Sequence, residues 1–193
     1  MRTRTIVCFG DSNTWGCVPG GNGERYPREV RWPGRLARAL GDGFDVIAEG
    51  LNGRTATVER PDSEGRNGLP YLLPCLQSHA PVDLVVVFLG TNDVNFVEDG
   101  SVARCVGRLV KIARVSEAGP ERGAPKVLVV CPPPFDGHRL GPSFADLCTE
   151  LDCALLDLDG VASYSDVDLE HLDADAHALV ARAVEEQVRL LLP

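Results

Sequence analysis

Thr5 to Phe9, Phe44 to Ala48, Val82 to Leu89, Val127 to Cys131 and Ala154 to Leu158 are five short runs in which apolar residues follow one another. They show little of the alternation that marks a strand with one wet face. Such runs fit strands of a parallel sheet covered on both sides. Helical patterns lie between them. Trp32 to Leu40 has Pro33 near its start and Gly41 just past its end, the usual start and stop asymmetry. Ser101 to Ser116 places Val102, Cys105, Val106, Leu109, Ile112 and Ala113 at three- and four-residue steps, with Ser101 as the expected N-cap. Arg104, Arg108, Lys111 and Arg114 fall off that stripe and read as a solvated face. Pro142 to Leu151 is a shorter helix. Asp173 to Leu192 is the clearest, with Asp173 and Asp175 suited to its positive N-terminal end.

Strand and helix alternating in this way predict an α/β fold: a three-layer α/β/α sandwich on a five-stranded parallel sheet of flavodoxin-like order 2-1-3-4-5. At 193 residues, with no repeat or low-complexity tract, one domain over residues 1–193 is expected. Val18 to Arg31 and Pro132 to Pro142 are rich in Gly and Pro and read as long loops, which in compact α/β domains are more often functional than idle.

Composition removes several function classes. Nineteen Lys and Arg against 28 Asp and Glu give a net charge of −9. That balance disfavours a sequence-independent grip on nucleic acid and attraction to anionic membranes. No apolar run approaches the ~20 residues of a membrane helix. Ile6 to Phe9 is too short for a signal-peptide core and Asp11 ends it, so a cytoplasmic location is expected. The seven cysteines are odd in number and form no C-x-x-C pair, which points away from a disulfide framework or zinc ribbon. There is no H-x-x-x-H motif or Cys/His cluster, so no metal is expected. Gly20-Gly21-Asn22-Gly23 is not followed by Lys-Ser/Thr, so a phosphate loop is not expected either.

In open parallel sheets, ligands bind beyond the carboxyl ends of the strands. Four polar clusters fall there: Gly10-Asp11-Ser12-Asn13-Thr14, Gly50-Leu51-Asn52-Gly53-Arg54, Gly90-Thr91-Asn92-Asp93 and Asp168-Leu169-Glu170-His171. Together they hold the parts of an acyl-transfer site. Ser12 at a strand-to-helix turn suits a nucleophile, His171 a general base, and Asp168 the group that orients the imidazole. The Ser12 and Gly53 N–H groups and the Asn92 amide suit an oxyanion hole. Ser12 as a mere N-cap and His171 as a surface residue are the bland alternatives. His177, inside a helix pattern, is a rival base. His79, before Pro81, suits a structural role, and His138 lies in a loop that reaches either solvent or substrate.

The runs CFGDSNTWG, EGLNGRTA, VFLGTNDVN and KVLVVCPPP, with the Asp-x-x-His of Asp168 and His171, resemble the SGNH hydrolases, also called GDSL esterases, and within them bacterial arylesterases and acyltransferases. Asn13 stands where the eponymous motif has Leu. The resemblance covers nearly the whole chain. It implies a serine esterase for small acetyl or short-acyl esters working through an acyl-enzyme, with acyl transfer to alcohols also open. It implies Ser12, Asp168 and His171 as the triad and Ser12, Gly53 and Asn92 as the oxyanion hole. Asp11 and Trp15 are expected at the substrate side, although Asp11 and Asp93 also suit structural hydrogen bonding, and Trp15 suits the core as well as a pocket wall. Arg54 is expected to pair with Asp11 or Asp93, and Cys17 is a weak rival nucleophile. No cofactor is implied. The expected partner is a small-molecule ester, with no nucleic acid and no membrane; a homo-oligomer stays open. The alternative of another class is an inactive binding module for an acyl or glycan ligand on the same scaffold. A flavin binder of the same topology is a third.

Overall fold

A computed structural model describes residues 2–193. The strands are β1 (Arg4–Gly10), β2 (Phe44–Gly50), β3 (Leu84–Phe88), β4 (Lys126–Cys131) and β5 (Ala154–Asp157). All pair in parallel, in the order β2-β1-β3-β4-β5. Every residue of β3 is buried, which is why its sequence reads as an unbroken apolar run rather than an alternation.

The pleat sorts these runs onto two faces. Val7, Phe9, Val85, Val87, Val127 and Val129 point to one side, where they pack with α3 (Leu69–Ser78), α4 (Asp99–Val115) and α5 (Gly141–Glu150). Ile6, Cys8, Val86, Phe88, Leu128 and Val130 point to the other, against α2 (Trp32–Leu40) and α6 (Ala174–Leu191). The three layers and the strand order are those expected. Arg104, Arg108, Lys111 and Arg114 are exposed on α4. Among the described residues no helix is long and apolar enough to cross a membrane.

Three local expectations are corrected. α4 starts two residues before Ser101, at Asp99 with Glu98 as N-cap, and the Ser101 hydroxyl accepts from Arg104 at 2.7 Å instead of capping. β3 is shorter than the apolar run at both ends, because the register with β1 runs only from Leu84 to Phe88. α3 has no counterpart among the expected helices. Pro70 suits its first turn, but Pro74 inside it breaks the pattern that sequence reading relies on. Burial of Leu72, Cys75 and Leu76 against the sheet holds the helix despite the lost backbone bond.

Two glycines bring the first strand-to-helix turn down onto the sheet edge. Gly10 and Gly50 are register partners at the carboxyl ends of β1 and β2. A Cβ on Gly50 would lie 2.1 Å from the Trp15 backbone nitrogen, and one on Gly10 would lie 2.0 Å from Thr14 Oγ1. The one-turn helix α1 (Ser12–Trp15) therefore needs the missing side chains to sit where it does.

Candidate active site

Asp11 caps α1: its Oδ1 accepts the Asn13 N–H at 2.9 Å. Ser12 is then the first helical residue, not the cap, and it is 4% exposed. Asp11 itself has no exposed surface, and burial pushes its carboxyl up to about 7. Expected at the substrate side, it is instead a buried structural group with no surface to offer a ligand.

His171 reaches this turn from the far end of the chain. Its Nε2 lies 3.0 Å from Ser12 Oγ and its Nδ1 lies 2.8 Å from Asp168 Oδ2. The three-residue spacing of Asp168 and His171 is closed by a tight turn. Asp168 Oδ1 accepts the N–H groups of Glu170 (3.2 Å) and His171 (3.0 Å), and Oδ2 also accepts the Gly20 N–H at 3.1 Å. Burial alone would raise the Asp168 carboxyl. The bonds to the His171 ring and to these three amides outweigh it and hold the carboxyl below its ordinary value. Leu169, between them, sits at φ +60°, a left-handed conformation that a bulky side chain adopts only when its surroundings impose it.

Gly53 follows β2 at φ +71°. Asn92 follows β3, and its Nδ2 donates to the Arg54 carbonyl at 3.2 Å, which brings the amide against the Arg54–Thr55 peptide, one residue past Gly53. Asp93 ties the same two loops: its carboxylate accepts the Ala56 N–H at 2.9 and 3.0 Å. Burial raises the Asp93 carboxyl to about 6, opposed by these backbone donors. Arg54 differs from expectation. It donates to the carbonyls of Gly10 (2.9 Å) and Glu49, and its guanidinium lies over the rings of Phe9 and Tyr71 at 4.2 and 5.3 Å. Backbone carbonyls and aromatic faces, not Asp11 or Asp93, hold this buried cation.

Trp15 ends α1, half-buried, with Arg25 stacked on its ring at 4.7 Å. His177 is buried on α6, where Nδ1 accepts the Trp32 N–H at 3.3 Å, so that nitrogen is committed to α2. Burial lowers the His177 ring to about 4. The Cys17 thiol is pushed up by burial and by Asp168 and Glu170, the opposite of what activates a thiol nucleophile. His138 is paired with Asp99 at 2.7 Å. It lines a cleft of about 250 Å³ with Thr91, Asn95, Phe135, Asp168 and Glu170. A wider hollow of about 630 Å³, at Arg2, Arg4, Phe44 and Asp83, contains none of these rim residues.

Sequence reading passed over Asn13 and Tyr164 as site residues. Asn13 Nδ2 donates to the Glu170 carbonyl at 3.2 Å, and its Oδ1 accepts the Leu172 N–H at 2.9 Å, so it grips the chain on both sides of His171. The Tyr164 hydroxyl meets Thr91 Oγ1 at 2.7 Å beneath the Asn92 loop. The signal for Asn13 was its departure from Leu in the first block; Tyr164 offered none.

The five-stranded order and the four blocks at the strand ends define a carboxylic ester hydrolase of the SGNH class. Residues 8–180 match the GDSL-like lipase/acylhydrolase family, and the chain belongs to it. It is similar to the structure of Est24, a carbohydrate acetylesterase from Sinorhizobium meliloti, at 33% identity and a TM-score of 0.92, over 98% of this chain and 100% of that one. It is similar also to the native aryl esterase of M. smegmatis, at 36% identity and a TM-score of 0.92, again over 98% and 100%. No curated protein sequence matches it.

Proposed function

We propose that this chain hydrolyses small acetyl or short-acyl esters through an acyl-enzyme on Ser12. The observation that carries the reading is the continuous line Asp168 Oδ2, His171 Nδ1, His171 Nε2, Ser12 Oγ, with contacts of 2.8 and 3.0 Å. His171 Nε2 takes the hydroxyl proton as Ser12 Oγ attacks the ester carbonyl. The negative charge that develops on the carbonyl oxygen is met by the Ser12 and Gly53 N–H groups and the Asn92 amide. Collapse breaks the bond to the alkoxy oxygen, and His171 returns its proton to the departing alcohol. Water then attacks the acyl-enzyme and gives a proton to His171; collapse breaks the acyl–Oγ bond, releases the carboxylic acid, and His171 returns the proton to Ser12 Oγ. A second alcohol in place of water gives acyl transfer by the same steps.

Trp15, half-buried at the end of α1, belongs to the wall of this site in the proposal. The likeness to a carbohydrate acetylesterase and an aryl esterase supports acetyl esters of sugars and of phenols as the first substrates to try.

The test is hydrolysis of p-nitrophenyl acetate and butyrate by the wild type and by Ser12→Ala, side by side. Turnover by the wild type and background rates in the variant are expected. A variant that keeps its activity overturns Ser12 as nucleophile. If neither protein turns over and a serine-directed phosphonate fails to label Ser12, the chain is a binding module on this scaffold instead.

A further inference from the structure

Away from the Ser12 rim, two secondary-structure elements bring three different metal-ligating side chains together. Glu49 lies near the end of β2; Cys75 and His79 lie four apart, along and at the end of α3. Among the described residues this is the one such group: the carboxylate, thiol and imidazole ligand atoms all lie within 4.8 Å of one another. Residues at i and i+4 share a helix face, so the spacing of Cys75 and His79 turns both toward β2. We propose that Glu49, Cys75 and His79 form a binding site for one divalent transition-metal ion of the zinc type, with solvent water as the fourth ligand.

The chemistry of the three groups fits that ion and not a hard one. Thiolate, imidazole and carboxylate together are zinc ligands, whereas magnesium and calcium require oxygens. Tetrahedral bonds of about 2.0–2.3 Å place neighbouring ligand atoms roughly 3.3–3.7 Å apart. His79 Nε2 and Glu49 Oε1 are 2.9 Å apart and all three ligand atoms lie within 4.8 Å of one another. Binding therefore needs the tight pair to open by a few tenths of an ångström and the widest pair to close by up to about 1 Å.

The surroundings already hold the ligands in place. The Tyr71 hydroxyl donates to the other carboxylate oxygen, Glu49 Oε2, at 3.1 Å, the kind of outer contact that orients a metal-bound carboxylate. Arg54 is the nearby cation, but it is committed to the Gly10 and Glu49 backbone carbonyls and to the Phe9 and Tyr71 rings. That leaves the Glu49 carboxylate to His79 and Tyr71. Cys75 is 3% exposed, while the His79 and Glu49 side chains are 28% and 20% exposed, so the cluster opens to solvent on one side. Burial and the neighbouring carboxylate push the Cys75 thiol up to about 12. Metal binding therefore forms the metal–sulfur bond with release of the thiol proton to solvent, and no oxidation or reduction takes part. The resulting thiolate and carboxylate carry two negative charges against the two positive charges of the ion.

The consequence is structural. β2 leads into the loop that carries Gly53, and α3 is the helix weakened by Pro74. A metal at this seam clips the helix to the strand behind that loop.

The experiment is a titration of the purified full chain, stripped with chelator, with Co²⁺, followed by absorption. One equivalent should give the thiolate-to-cobalt charge-transfer band and tetrahedral visible bands, and added Zn²⁺ should abolish them. The bands should vanish in Cys75→Ser and weaken at least tenfold in apparent affinity in His79→Gln and Glu49→Gln. They should persist in Cys148→Ser and in Ser12→Ala; the latter separates this result from the ester-hydrolase reading. Circular dichroism of each variant reports folding, and His79→Gln, at a half-exposed helix end, decides the matter if Cys75→Ser does not fold. Absence of saturable one-equivalent binding, a band that survives Cys75→Ser, or an apparent affinity that is unchanged in His79→Gln, overturns the proposal.

Discussion

The side-chain carbonyl of Asn13 accepts the Leu172 N–H at 2.9 Å, so the residue after the proposed nucleophile holds the residue after the proposed base. With the Glu170 carbonyl on its amide, Asn13 brackets His171 and fixes how far its ring stands from Ser12. Leu172 is fully buried, so its N–H finds no water if Asn13 is shortened. Asn13→Ala should lower unfolding free energy by about 1–3 kcal/mol, the cost of an unsatisfied buried donor. It should also lower kcat more than it raises KM, because the ring and not the substrate loses its support. Urea unfolding and ester kinetics on the same preparation check both. Unchanged kcat with reduced stability would show that Asn13 is a fold residue alone.

Asp168 makes two kinds of contact, one to the His171 ring and three to backbone amides at Gly20, Glu170 and His171. Asp168→Asn removes the charge that stabilises an imidazolium and allows the ring the wrong tautomer. A kcat loss on the order of 10⁴-fold is expected. Asparagine keeps one oxygen for the amides, so the turn should lose less in stability than in rate. Steady-state hydrolysis and thermal unfolding together measure the split. A rate loss below tenfold would remove Asp168 from the relay.

These contacts mark where sequence reading stops. The strands were legible because burial on both faces leaves an unbroken apolar run, as in Val85 to Phe88. The rim blocks were legible because each is short and local, and the topology alone says that such blocks meet. The bracket at Asn13 was not, because its partners lie 157 and 159 residues away. The expected pairing of Arg54 with an acid failed for a related reason. Opposite charges suggested Asp11 or Asp93, whereas the fold offered carbonyls and two aromatic faces. α3 was hidden by Pro74, and with it the cluster at Glu49, Cys75 and His79, whose closest contact spans 30 residues.

Asn92 donates one amide hydrogen to the Arg54 carbonyl, which leaves its second for the proposed oxyanion contact. Asn92→Ala should cost about 10²–10³ in kcat, equivalent to losing one oxyanion donor, with KM changed far less. Stability should fall by only about 1 kcal/mol, the net worth of the bond to Arg54. Stopped-flow acylation with p-nitrophenyl acetate isolates the step. An equal loss in KM would mean that Asn92 binds the ground state as tightly as the transition state.

His177 makes stability depend on pH in a direction that can be worked out. Burial lowers its ring to about 4 in the folded protein, against about 6.5 in an unfolded chain. Between those values the unfolded chain holds a proton that the folded one does not, so stability rises with pH across that window. Above pH ~6.5 both states are neutral and the group contributes nothing; toward pH 4 it subtracts up to about 1.4 kcal/mol per unit. Asp11 and Asp93 act with the opposite sign. Raised to about 7 and about 6, they hold protons in the folded state that the unfolded chain releases from about pH 4 upward. Their contribution is complete at low pH and fades as pH rises through those values. A comparison of wild type with His177→Gln cancels both carboxyls, because the two proteins share them. The wild type should lose ground to the variant as pH falls from 7 to 4.5 in urea unfolding. A difference that stays constant across that range would mean that the ring takes up its proton while still folded, and that the helix α6 yields enough to let water reach it.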